Sequence, residues 1–173
     1  MKDFLTLCLL FKKDLRFNSK TLDRTDKRRI RKHPNLLNSS SFKISRAIKA
    51  KFKKRLKFCI AHKEGCVGVL FGKGKFGLDI EEMKDRNFNA ISEFCFTKNE
   101  VEEYGKSKSK EKFYQIYTCK EALLKAKNLS FSELGIVDSL DDEKYIKKSF
   151  IINDLFMISI VFKGKKDIIC KFL

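Results

Sequence analysis

Apolar and polar positions fall in blocks along the chain, and the blocks predict strands first and helices later. Residues 4–11 form one apolar run, read as a buried strand. Residues 19–35 break that pattern. They are polar and strongly basic (Lys27, Arg28, Arg29, Arg31, Lys32), end at the only proline, Pro34, and read as a solvated segment. Ser39-Ser40-Ser41 then offers N-cap chemistry for a helix to about Lys53. Phe42, Ile44, Ala47, Ile48 and Phe52 share its apolar side and leave a basic face opposite. Residues 56–61 and 66–71 read as short strands around a Lys63-Glu64-Gly65 turn. Gly72-Lys73-Gly74-Lys75 makes a second turn before a strand at 76–80.

From there the spacing becomes helical. Residues 89–94 and 98–104 are short helical segments, 105–110 a charged loop, and 112–127 the strongest helix of the chain. Phe113, Ile116, Tyr117, Ala122, Leu123, Leu124 and Ala126 form the apolar side of that helix. The tail reads as strands at 135–137, 145–152, 156–162 and 168–172. The order strand, helix, strands, then helix and strands again predicts an α+β fold of two related α/β subdomains, 1–75 and 76–173.

Charge sharpens the division. Residues 1–75 carry 22 basic and 5 acidic side chains, residues 76–173 carry 17 of each, and the net charge is +17. An excess confined to one half points to a polyanionic partner on that side: nucleic acid, a phosphorylated cofactor or an acidic protein. A membrane surface fits less well, because no long basic amphipathic helix and no run of 18 apolar residues occurs. The six cysteines form no C-x-x-C pair and sit mostly in apolar runs, so the expectation is a reducing cytoplasm without disulfides or zinc. The opening apolar run ends in Lys12-Lys13-Asp14 without a small-residue cleavage site, and is not read as a signal peptide.

Candidate chemistry gathers in the second half. Asp79 and Glu81 are two apart on a strand and point to one face, with Ile80 to the other. Glu121 lies on the long helix, with Lys125 one turn along the same face. Oxygen ligands without nearby histidine or cysteine favour Mg²⁺ over zinc. Carboxylates, a cation and a lysine are equipment for phosphoryl-type transfer. Each feature also has an ordinary structural reading. A Glu-Lys pair at i,i+4 is commonly a surface pair, Asp-x-Glu a solvated strand end, and His62 a core histidine.

In order along the chain, the segments are more specific. Phe76-Gly77-Leu78-Asp79-Ile80-Glu81, Phe96-Thr97-Lys98-Asn99-Glu100 and Tyr117-Thr118-Cys119-Lys120-Glu121-Ala122-Leu123-Leu124-Lys125 resemble the 4′-phosphopantetheinyl transferase superfamily. Its blocks are a G-D-E strand, an F-[ST]-x-x-E helix start and W-[ST]-x-K-E-[AS]-x-x-K on a long helix. Phe58 to His62 resembles its N-[IL]-S-H-S strand, and Ser45-Arg46 its small-Arg element. Tyr117 stands where the family has Trp, and Ala61 and Lys63 flank His62 where it has Ser. Length and two-part layout resemble the monomeric surfactin-activating type rather than the shorter trimeric holo-acyl-carrier-protein synthases.

The resemblance implies the family's two-subdomain fold, with the active site where the subdomains meet. It implies that Asp79, Glu81 and Glu121 hold Mg²⁺, and that Glu121 helps deprotonate a serine of an apo carrier protein. Lys125 would hold phosphates and stabilise the transition state, with Lys120 nearby. His62 would touch a coenzyme A phosphate, and Arg28, Arg31 and Arg46 would meet the 3′-phosphate. The partner would be an acidic carrier of fatty-acid, polyketide or peptide assembly, and the enzyme a cytoplasmic monomer with no nucleic-acid or membrane partner. Two alternatives stand beside it: a Mg²⁺-dependent nuclease and a basic nucleic-acid-binding module.

Overall fold

The computed structural model describes residues 3–11, 16–52 and 56–173. In chain order its elements are β1 (Phe4–Leu10), α1 (Arg24–Lys32), α2 (Ser40–Ala50), β2 (Lys57–Lys63), β3 (Cys66–Gly72), β4 (Phe76–Glu82) and α3 (Phe88–Cys95). Then follow α4 (Lys98–Gly105), α5 (Lys110–Lys127), β5 (Tyr145–Ile152), β6 (Phe156–Lys163) and β7 (Asp167–Phe172). Short 3-10 turns fall at Ser19–Thr21, Pro34–Asn38 and Phe131–Glu133. The expected basic end of the first run, Lys12-Lys13-Asp14, and the expected helix end at Lys53 lie outside the described residues.

The chain divides into two compact units, Met1–Lys73 with Asp167–Leu173, and Gly74–Lys166. The first unit holds a four-stranded sheet in the order β2-β3-β1-β7. β1 is antiparallel to β3 and parallel to β7. The sequence reading placed all of 76–173 in the second half. The last strand instead pairs with β1, from Phe4 opposite Asp167 to Leu9 opposite Phe172. β3 is buried at every position, and β1 from Leu7 onward, which is why both read as unbroken apolar runs. Helix α2 sits on this sheet through Ile44 and Ile48, which join Cys8, Leu10, Val67, Val69 and Phe71 in one core.

Helix α1 corrects the reading of 19–35 as a purely solvated run. Asp23 caps it by accepting a hydrogen bond from the Asp26 amide at 2.8 Å. Asp26 is buried and anchors the helix on α2, accepting from Arg46 Nε at 2.9 Å and Lys49 Nζ at 2.8 Å. The docking is ionic, so no apolar periodicity announced it.

The second unit holds the antiparallel sheet β4-β6-β5 with α5 packed on β4 and β6. Ala122, Leu123 and Ala126 of α5 join Tyr145 and Val161 in one cluster. Phe113 and Tyr114 of α5 pack with Phe96 and Tyr104 in a second. α5 is capped by Ser109 at its start and ends at Asn128 in the left-handed conformation (φ 59°). The strand expected at 135–137 does not form. Ile136 and Val137 both donate to the Glu133 carbonyl at 3.1 Å, continuing the turn that begins at Phe131.

Candidate active site

The second unit builds its site from one strand and one helix. On β4, Gly77, Asp79 and Glu81 alternate with Leu78 and Ile80, which are both buried. Gly77 faces α5 at very close range. A Cβ there would lie 1.9 Å from the Ala122 carbonyl oxygen and 2.8 Å from the Ala126 nitrogen. The missing side chain therefore lets the helix backbone rest directly on the strand. Glu121 and Lys125, on the same helix, are thereby brought to Asp79 and Glu81.

Asp79, Glu81 and Glu121 each present a carboxylate oxygen, and these oxygens lie within 4.8 Å of one another. Lys125 Nζ donates to Asp79 Oδ1 at 2.7 Å and stands 3.9 Å from Glu121 Oε2. The other Asp79 oxygen, Oδ2, is buried and accepts no hydrogen bond among the described residues. Burial pushes the Asp79 carboxyl up to about 7; Lys125 opposes the rise, while Glu121 and Glu81 add to it. Three converging carboxylate oxygens fit a hard divalent cation.

Two neighbours had escaped a functional reading. Tyr117, one turn before Glu121, is hydrogen-bonded to it; burial first, and Glu121 second, raise the phenol and keep it protonated as a donor. Arg86, in the loop after β4, brings Nη2 to 3.6 Å from Glu81 Oε2. The aromatic residue in the family's Trp position was a signal for the first. Nothing in the spacing singled out the second.

The F-T-x-x-E segment serves as a brace. Thr97 and Glu100 form a capping box at the start of α4. Glu100 is fully buried and accepts from Lys120 Nζ, from the Ser139 amide at 2.7 Å and from Ser139 Oγ at 2.6 Å. Lys120 is thus enclosed with Glu100, and not beside the carboxylate trio where the sequence reading expected it. Thr118 joins a buried hydroxyl chain: it donates to the Tyr114 carbonyl at 2.8 Å and contacts Ser159 Oγ at 2.6 Å, which contacts Ser149 Oγ at 2.7 Å. That chain ties α5 to β6 and β5.

The remaining candidates belong to the first unit. His62 is exposed on β2, opposite Val67. Arg28 and Arg31 are exposed on α1 and line a groove of about 660 Å³ with Arg24, Thr25 and Lys32. Arg46 is buried: Nε donates to Asp26, Nη1 to Ser45 Oγ at 2.9 Å, and the guanidinium lies 4.2 Å from the Phe42 ring centre. An arginine so satisfied is a structural tie within the unit.

Among the described residues no helix is long and apolar enough to cross a membrane. No curated protein matches the chain. The model of the 4′-phosphopantetheinyl transferase superfamily matches residues 75–166, just over half of the chain and nearly all of the second unit. The match contains the carboxylate trio, Lys125 and the Thr97–Glu100 brace, and it supports transfer of phosphopantetheine rather than the nuclease alternative. The chain belongs to the 4′-phosphopantetheinyl transferase superfamily.

Proposed function

We propose that the protein moves the 4′-phosphopantetheine arm of coenzyme A onto a serine of an apo carrier protein, in a Mg²⁺-dependent reaction releasing adenosine 3′,5′-bisphosphate. The observation that carries this reading is the convergence of Asp79, Glu81, Glu121 and Lys125 inside the matched region. Asp79, Glu81 and Glu121 would hold the Mg²⁺. Bound there, the ion neutralises charge on the pyrophosphate oxygens. Lys125 supplies a further positive charge to the phosphates and to the charge that builds on the leaving group. Glu121, directly or through a water, accepts the proton of the serine hydroxyl. The serine oxygen forms its bond to the phosphorus bearing the pantetheine arm. The bond from that phosphorus to the oxygen of adenosine bisphosphate breaks.

Exposed side chains of the first unit, His62, Arg28 and Arg31 among them, are proposed for the coenzyme A phosphates. Arg46 and Lys120 we assign to holding α1 and α5 in place. We place the enzyme in the cytoplasm as a monomer acting on an acidic carrier of fatty-acid or polyketide assembly; its six free cysteines suit a reducing compartment.

Intact-mass analysis tests the reading. Protein, coenzyme A, Mg²⁺ and an apo acyl carrier protein are mixed, with an EDTA control. The expected result is a mass gain of one phosphopantetheine unit on the carrier, abolished by EDTA. No gain on any of several apo carriers, together with no binding of coenzyme A, overturns it.

A further inference from the structure

The loop after β4 holds a second cation at the rim of the carboxylate trio. Tyr114 of α5 pins this loop through both backbone groups of Lys84: its hydroxyl accepts from the Lys84 amide at 3.1 Å and donates to the Lys84 carbonyl at 2.9 Å. The Tyr114 ring also supports Arg86, whose guanidinium carbon lies 5.8 Å from the ring centre. The Arg86 side chain is 34% exposed, and its contact to Glu81 is 3.6 Å, beyond hydrogen-bond distance. A guanidinium has five donors in a planar fork. Here the fork is held in place, half open to solvent, and only loosely engaged by a carboxylate proposed as a metal ligand.

Charge arithmetic gives that cation a task. Three carboxylates carry −3; a divalent ion and Lys125 return +3 and leave the site neutral. A neutral site offers a pyrophosphate little long-range attraction. With Arg86 the site facing the phosphates becomes net positive. Glu81 holding a divalent ion would be a weaker partner for Arg86, which would leave the fork available to a second anion.

We propose that Arg86 is a phosphate-binding residue of this site, moving from Glu81 to a pyrophosphate oxygen of coenzyme A when the carboxylates hold a divalent cation. The assignment rests on the transferase reading above. It gives Arg86 two opposite effects. In the absence of coenzyme A, Arg86 competes with the metal for Glu81. In its presence, Arg86 adds to the affinity for the phosphates.

Calorimetric titration of the full-length protein separates the two. Coenzyme A is titrated with Mg²⁺ present, and Mn²⁺ alone is titrated into the metal-free protein. Arg86→Gln is expected to weaken coenzyme A binding at least tenfold while Mn²⁺ binds as tightly as in wild type or more tightly. Arg86→Lys should recover part of the coenzyme A affinity. Coenzyme A lacking its 3′-phosphate should show the same tenfold penalty, since the pyrophosphate is common to both. Unchanged coenzyme A affinity in Arg86→Gln overturns the proposal. So does a parallel loss of Mn²⁺ affinity, which marks a damaged site. A raised KM for the carrier with unchanged coenzyme A binding also overturns it, placing Arg86 on the protein partner. Wild-type protein that binds no coenzyme A overturns the transferase reading, and this assignment falls with it.

Discussion

Asp79 concentrates the tension of the site. It is 4% exposed, one oxygen is held by Lys125, and the other is buried and accepts no hydrogen bond among the described residues. Its carboxyl, raised to about 7, binds a proton in the folded protein that the unfolded chain releases near 4. Between those values the native state holds more protons than the unfolded one, so stability falls as pH rises from about 4 to about 7. Urea unfolding in EDTA checks this. Asp79→Asn is expected to be more stable than wild type at pH 7.5, with the gap narrowing at pH 5; a gap independent of pH would refute it. Lys125 opposes the rise at Asp79, so Lys125→Ala should push that carboxyl higher. It should also lower turnover at least tenfold, about 1.4 kcal/mol in the barrier, in steady-state transfer assays. At this scale the sequence was informative. Alternation on β4 puts Asp79 and Glu81 on one face, and the four-residue step on α5 does the same for Glu121 and Lys125; that the two faces belong to one site was implied by the family resemblance and not by spacing. Lys120 was misplaced because adjacency to Glu121 carries no information about which way a helical side chain points; the step of about 100° turns it toward Glu100.

Two elements, β4 and α5, set the geometry, and Gly77 sets the gap between them. A methyl at 77 meets backbone atoms of Ala122 and Ala126, which cannot rotate aside. Gly77→Ala should therefore cost about 3 kcal/mol, the upper end of ordinary overpacking, in urea unfolding. Because α5 must lift from β4, Mn²⁺ affinity should fall with it. Glu100 provides the contrast. Glu100→Gln leaves the Lys120 ammonium buried without its counter-charge, at about 3–5 kcal/mol. Yet Glu100 does not join the trio, so the folded fraction should bind Mn²⁺ normally. Equal loss of Mn²⁺ affinity in the two variants would contradict this division of labour. The elements that the sequence revealed, such as α2 and α5, bury apolar faces at helical spacing. Helix α1 was not legible because its burial is carried by Asp26, Arg46 and Lys49, charged residues that a hydropathy pattern counts as solvent-facing. The 135–137 segment erred in the other direction: Ile136 is 78% exposed, and apolar residues in a turn mimicked a strand.

At the scale of the whole molecule, chain order and spatial order part company at β7. The first unit carries 22 basic and 6 acidic side chains and the second 17 and 16, so the charge division legible in the sequence follows the units closely. The strand that closes the first unit was not legible as part of it, since periodicity reports that a segment is extended and not which strand it pairs with. β7 buries little: Ile169 is 42% exposed and Phe172 65%. Its contribution is the backbone ladder along β1, whose Leu5, Leu7 and Leu9 are fully buried. Removing residues 167–173 would turn β1 from an inner strand into an unprotected edge, a template for pairing between molecules. The truncated chain is expected to lose amide protection in β1 and to aggregate, while β4 and β6, whose ladders run within Gly74–Lys166, and α5, which packs on them, keep their protection. Hydrogen exchange read by mass spectrometry resolves these segments. Uniform loss of protection across both units would show that they unfold together, and unchanged protection in β1 would show that β3 alone suffices to hold it.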